Sequence, residues 1–170
     1  MSKTIVYIDV DGVINSFQQS RKTGWDGEWK LDIINGYHIH WYTDLVESLN
    51  KLSKQENVEF KWLTTWQEDA VTKLSEPLGI EGLEWEVLYV PEGEELFDRR
   101  SWWKLHALKA DVIKHRPDKV VWIDDDFKYA NDALNWAEDQ TITNILPISP
   151  FTDWGMTKED FNDIIEFINS

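Results

Sequence analysis

The stretch Ile5-Val6-Tyr7-Ile8-Asp9-Val10-Asp11-Gly12-Val13, IVYIDVDGV, ends a β-branched and aromatic run in two carboxylates two positions apart. From Lys3 to Ile8 the apolar side chains fall on both faces, as they do in a strand covered by helices on either side. Side chains alternate along a strand, so Asp9 and Asp11 project to the same side. Two carboxylates placed there raise each other's pKa unless a cation lies between them. The pattern predicts a buried strand that carries an acidic pair at its carboxyl end.

Working outward, strands and helices alternate. After Gly12 a segment rich in Trp, Gly and polar residues holds the turn signals Thr23-Gly24 and Asn35-Gly36, which predict a hairpin-like flap at about 15–40. Leu45, Leu49 and Leu52 share one helical face, and Asn57 is a stop signal. VEFKWLTTW, residues 58–66, reads as the second strand of the main sheet. A helix over 67–76 is expected to end at Pro77, with Gly79 beyond it. LEWEVLYV, residues 83–90, reads as a third strand. A helix capped by Ser101 and stopped before Pro117 follows. KVVWIDDD is a fourth strand ending in acids, residues 128–139 a helix, TITNILPI a fifth strand, and the last segment a helix with Thr157 as N-cap. Such alternation requires right-handed crossovers and a parallel five-stranded sheet in an α/β, three-layer Rossmann-like domain. The chain, residues 1–170, is expected to form one domain.

Composition narrows the function. A 42% apolar share with eleven Trp exceeds what a disordered chain carries. No cysteine occurs, so disulfide and thiolate metal sites are excluded. No apolar run approaches the ~18 residues of a membrane span, and a cytoplasmic location without membrane association is expected. The formal net charge of −15 argues against non-specific binding to nucleic acid.

The unusual residues gather at strand ends, where ligands bind in open α/β sheets. The first strand ends in Asp9 and Asp11, the second in Thr64-Thr65, and the fourth in Asp124-Asp125-Asp126, while Lys104 lies in the helix before the fourth. So many carboxylates in one crevice call for a metal. An all-oxygen ligand set favours a hard ion, with Mg2+ the default beside phosphate. One carboxylate can attack phosphorus, a second can protonate the leaving oxygen and activate water, and Thr and Lys can hold the phosphoryl oxygens. Singly, each motif has a plainer reading: a D-x-D is commonly a solvated loop start, and an acid run commonly opens a helix.

The order DVDGV, strand-terminal Thr, helical Lys and WIDDD resembles the motifs of the haloacid dehalogenase-like (HAD) superfamily along essentially the whole chain. IDVDGVIN, WLTTW with Trp62, Thr64 and Trp66, Trp103-Lys104, VWIDDD and DWGMT are similar to the HAD domain of Swiss Army Knife RNA-repair proteins. The resemblance implies a HAD-like fold and a Mg2+-dependent phosphatase working through an aspartyl-phosphate. Asp9 would be the nucleophile. Asp11 would be the general acid/base and offer its main-chain carbonyl to the metal. Thr64 would bind the phosphoryl group, with Thr65 as substitute, and Lys104 would neutralise it. Asp9, Asp11, Asp124 and Asp125 would form the metal set, Asp125 being the first candidate of the acid run, Asp124 its close neighbour and Asp126 a weaker one. Gly12 would let the chain turn sharply beside the phosphate.

The flap is short, so a minimal flap-type cap and an open site are expected. The resemblance implies a phosphorylated substrate and favours a polynucleotide end; a small molecule or nucleotide is the alternative, as is a non-catalytic phosphate-recognition module. Trp25, with Phe17, Trp29, Tyr37 and Trp41, has two readings: stacking on a base or sugar, or packing the flap onto the body, the commoner use of aromatic area. Arg21 and Lys22 are the nearest basic residues to a substrate backbone. His38 and His40 alternate as a zinc pair can, but without a third ligand nearby a structural role is expected.

Overall fold

The structure, a computed structural model, describes residues 2–98, 102–139 and 144–170. The elements are β1 (Thr4–Ile8), β2 (Trp29–Ile34), β3 (Tyr37–Tyr42), α1 (Thr43–Ser53), β4 (Val58–Trp62), α2 (Ser75–Leu78) and β5 (Glu86–Val87). They continue with α3 (Trp103–His115), β6 (Lys119–Ile123), α4 (Asn131–Glu138), β7 (Asn144–Ile148) and α5 (Lys158–Asn169). Five strands form a sheet in the order β5-β4-β1-β6-β7, every pair parallel. This is the α/β three-layer arrangement that the alternation of elements predicts. The chain leaves β1 for β4 on one side and returns to β6 on the other, so the topological switch point lies between β1 and β6.

β1 is wholly buried, with Val6 and Ile8 on one face and Ile5 and Tyr7 on the other. The first face packs on Leu45, Leu49 and Leu52 of α1 and Ile164 and Ile168 of α5, the helical spacing read in the sequence. The second face packs on Leu105, Leu108 and Val112 of α3 and on Ala133 and Ala137 of α4.

β2 and β3 form an antiparallel hairpin turning at Asn35-Gly36, both with positive φ (52° and 81°), the geometry for which that dipeptide is suited. The hairpin is fixed to the loop after β1: Ser16 N–H donates to the His40 carbonyl at 2.9 Å, and Trp29 Nε1 donates to Ser16 Oγ at 2.8 Å.

Several boundaries differ from expectation. The third strand is only Glu86–Val87, because at this sheet edge Trp85 turns inward onto Phe60 and Trp62, at ring distances of 4.6 and 4.8 Å. Pro77 does not end its helix. A π-helical turn, Ala70–Leu74, runs without a break into α2 at Ser75, and the chain stays helical through Pro77 to Leu78; Gly79 in the left-handed region is the stop. Lys128 and Tyr129 belong to a 3-10 turn, Asp125–Tyr129, that starts at the Asp124 cap and is closed by Ala130, so α4 begins only at Asn131. The expected Ser101 cap and the first residues of the fifth strand, 141–143, lie outside the described residues.

Thr157 forms a capping box with Asp160 at the start of α5, donor and acceptor exchanged in both directions. Thr157→Ala is expected to lower stability by about 1 kcal/mol and the melting temperature by about 2–4 °C. Thermal unfolding followed by circular dichroism checks this, and an unchanged midpoint would contradict it.

Candidate active site

The parallel ladder runs one residue past the strand ends and fixes the reactive side chains in place. Asp9 N–H bonds to the Ile123 carbonyl at 3.1 Å, and Asp124 N–H to the Ile148 carbonyl at 3.0 Å. Two acids therefore leave adjacent strands, β1 and β6, at the same level beside the switch point. Lys104, in the first turn of α3, reaches both: its Nζ lies 2.8 Å from Asp9 Oδ2 and 2.6 Å from Asp124 Oδ2. All three are buried, at 2%, 6% and 0% exposure for Lys104, Asp9 and Asp124.

Asp125 joins them, its carboxylate within 4.8 Å of those of Asp9 and Asp124. Gly12 makes this possible. Its φ is +71°, and a Cβ there would sit 2.3 Å from Asp125 Oδ2, so the loop after β1 and the turn after β6 press together only across a glycine. The remaining contacts hold the acids from behind. Val10 N–H donates to Asp9 Oδ1 at 2.7 Å, Asp126 N–H to Asp124 Oδ1 at 3.0 Å, and Thr152 Oγ1 to Asp125 Oδ2 at 2.7 Å.

Of the three buried carboxyl groups only Asp9 and Asp124 bond the Lys104 ammonium, so the cluster holds more acids than cations. Burial holds Asp124 above the ordinary carboxylate range, Lys104 opposing and Asp9 adding to it. Burial pushes Asp125 up to about 6, with Thr152 opposing and Asp126 and Asp9 adding. For Lys104 burial pulls downward, but Asp124 and Asp9 outweigh it, so the group stays an ammonium above its usual value. An all-oxygen set with uncompensated charge fits a hard divalent cation, and Asp9, Asp124 and Asp125 are the side chains that can hold one.

Asp11 is placed differently. Its carboxylate is outside that cluster; Oδ1 accepts from Asn15 Nδ2 at 2.7 Å and Oδ2 from Trp66 Nε1 at 2.8 Å. Burial raises its pKa, the Asn15 and Trp66 donors oppose this, and Asp9 adds to it. Thr64, 1% exposed, follows β4 with its Oγ1 accepting from Trp66 N–H at 3.3 Å; Thr65 beside it is half-buried.

The substrate-binding expectations fare unevenly. Arg21 is exposed in the short turn Arg21–Thr23, and Lys22 lies over the Trp154 ring at 5.0 Å. Trp25 is corrected: it is 7% exposed, its indole N–H donates to the Met156 carbonyl at 2.7 Å, and its ring meets Phe161 edge-on. Its faces are therefore spent on packing the flap to α5. His40 stacks on Trp29 at 4.4 Å, and among the described residues neither His38 nor His40 belongs to a group of metal-ligating side chains. Asn15, Thr152 and the indole donor of Trp66 were missed. Only Asn15, four residues after Asp11, left a local signal.

An open cavity of about 1050 Å³ has Asp126 of the acid run in its wall, with Asp98, Trp102, His106, Tyr129 and Asp132 among the other lining residues. Comparison with known families finds that the model described as the HAD domain in Swiss Army Knife RNA repair proteins matches residues 5–161. No curated protein matches the chain at a significant level.

With metal withheld by chelator, Asp125 binds more protons in the folded than in the unfolded chain between pH about 4 and about 6. Stability therefore falls as pH rises through that window, since the slope follows the unfolded-minus-folded proton count. Asp125→Asn is expected to flatten this fall relative to wild type. Denaturant titrations across the window check it; parallel wild-type and variant profiles would contradict the assignment.

Proposed function

The chain belongs to the family of HAD domains of Swiss Army Knife RNA repair proteins, and from that premise we propose that it is a Mg2+-dependent phosphohydrolase acting through an aspartyl-phosphate, with a phosphorylated polynucleotide end as its substrate. The observation that carries the reading is the buried Lys104 ammonium shared by Asp9 and Asp124, with Asp125 in the same cluster. A binding module has no need of that concentration of carboxylates.

Asp9, Asp124 and Asp125 would hold the ion, joined by the main-chain carbonyl of Asp11. When bound, it supplies charge neutralisation for the phosphoryl oxygens. The remaining chemistry lies with the chain's own groups. Asp9 attacks phosphorus, the P–O bond to the leaving alcohol breaks, and Asp11 delivers its proton to that oxygen. Asp11, now a carboxylate, takes a proton from the water that attacks the phosphorus of the aspartyl-phosphate, which releases phosphate and regenerates Asp9. Lys104 keeps the nucleophile oriented and balances phosphoryl charge as it balances Asp9 and Asp124 now. The Thr64 hydroxyl, whose oxygen accepts from Trp66 N–H, retains its proton to donate to a phosphoryl oxygen.

The family description and the open cavity beside the acid run support a large substrate. The net charge of −15 counts against long contact with a polynucleotide backbone, so the reading is confined to a terminal phosphate.

Turnover of p-nitrophenyl phosphate is expected to require Mg2+ and to fall by about 10³-fold or more in Asp9→Asn, the scale seen when a nucleophile is lost. No turnover of several phosphoesters by wild type with Mg2+ would reject the enzyme reading, and activity surviving Asp9→Asn would reject the nucleophile. For substrate class, phosphate release from 3′- and 5′-phosphorylated oligonucleotides is compared with that from nucleoside monophosphates. The oligonucleotides are expected to react faster; preference for the monophosphates would reject end repair.

A further inference from the structure

We propose that Asn15 and Trp66 are positioning residues for the acid/base step, acting together as a two-sided clamp on the Asp11 carboxylate; the inference rests on Asp11 serving as acid/base. Each carboxylate oxygen of Asp11 receives one N–H donor, Asn15 Nδ2 at 2.7 Å and Trp66 Nε1 at 2.8 Å. The donors come from different segments, the loop after β1 and the loop after β4. A single donor would leave the carboxylate free to swing about that bond; two donors on opposite oxygens fix both the direction and the plane of the group. An ionised carboxylate offers about four lone-pair sites, so two donors still leave room on it for the transferred proton.

The clamp residues are themselves held. Asn15 is 1% exposed, and its side-chain oxygen accepts from His40 N–H on β3 at 2.9 Å. That second bond determines which end of the amide faces Asp11, because only the NH2 end remains to donate. Trp66 meets the ring of Tyr37, also on β3, edge-on at 5.6 Å, and its main-chain N–H donates to Thr64 Oγ1. The clamp therefore spans Asp11, Thr64 and the hairpin, while both donors stay outside the cluster of Asp9, Asp124 and Asp125.

Loss of the clamp is expected to matter in proportion to how much the leaving oxygen needs a proton. A nitrophenolate leaves readily without one, whereas an alkoxide does not. The ratio of kcat/KM for p-nitrophenyl phosphate and for a simple alkyl phosphate isolates that need, because kcat/KM covers steps only through departure of the alcohol. Trp66→Phe keeps a ring against Tyr37 and removes only the donor. In this variant the loss on the alkyl ester should exceed the loss on the aryl ester by about tenfold, within the ~10² to 10⁴ that general acid catalysis supplies. Asn15→Ala should shift the ratio in the same direction.

Equal losses on the two esters in a folded Trp66→Phe protein, or no loss on either, would overturn the clamp. Asp11→Asn separates this from the underlying reading. If Asp11→Asn shows the ester-selective loss and Trp66→Phe does not, the clamp is wrong and the acid/base assignment stands. If Asp11→Asn shows no selectivity, that assignment fails first.

Discussion

The bond pair from Lys104 to Asp9 and Asp124 is the constraint from which the rest of the site follows. A buried ammonium is tolerated only where its charge is met, and removing one partner of such a group commonly costs several kcal/mol. α3 has a second anchor of the same kind. Asp111, seven residues and about two turns along, accepts from the Tyr7 hydroxyl at 2.7 Å and pairs with Lys61 at 2.9 Å. Tyr7 and Lys61 are register partners on β1 and β4, so both side chains rise from the same face of the sheet. Held by charge near each end, the helix cannot slide or roll without stranding a buried ion. These pairs set the register that carries Lys104 to the strand ends, which is a different role from adding stability.

With Lys104 fixed, the acids accumulate around it for reasons that are mostly backbone geometry. Asp9 and Asp124 are brought level by ladder hydrogen bonds. Asp125 is drawn in because Gly12 leaves space where any side chain would collide with it, and Thr152, beyond β7, braces its other side. Loops after β1, β6 and β7 thus meet at one point, and the charge they concentrate exceeds what one lysine balances. The Asp11 carboxylate escapes that concentration, although it is only two residues from Asp9, because Asn15 and Trp66 hold it elsewhere. The two leading acids are thereby placed in different surroundings, Asp9 on an ammonium and Asp11 on two neutral N–H donors.

Much of this was readable from residue order. β1, β4 and β6 were legible because buried strands are dense in Val, Ile and aromatics, and α1 because Leu45, Leu49 and Leu52 recur at helical spacing. The acids and Lys104 stood out because carboxylates at strand ends are conspicuous. The donors did not, since Asn, Thr and Trp have many ordinary uses and Trp66 lies 55 residues from Asp11. Trp25 illustrates the same limit: sequence shows an aromatic residue but not whether its faces are open, and here they are covered by α5. Lys61 gave no sign of being fully buried, because its partners Glu86 and Asp111 come from two later segments. The boundary errors at β5 and Pro77 come from an edge strand with a single neighbour and from a π turn that shifted the helical frame.

The acidic surface and a phosphate substrate are compatible because they act at different ranges. Net charge repels a polyanion over a Debye length, about 8 Å at physiological ionic strength. Lys104 instead sits at bonding distance from Asp9, in a buried setting where its charge is little screened. Holding a polynucleotide along its length would need several cations spaced for successive phosphates. The described centre gathers its charges onto one point, where Asp9 and Asp124 meet Lys104 and Asp125 lies beside them. Short-range charge at one point and long-range repulsion by the surface therefore do not conflict: a single phosphate can be met at bonding distance on a protein whose net charge is strongly negative.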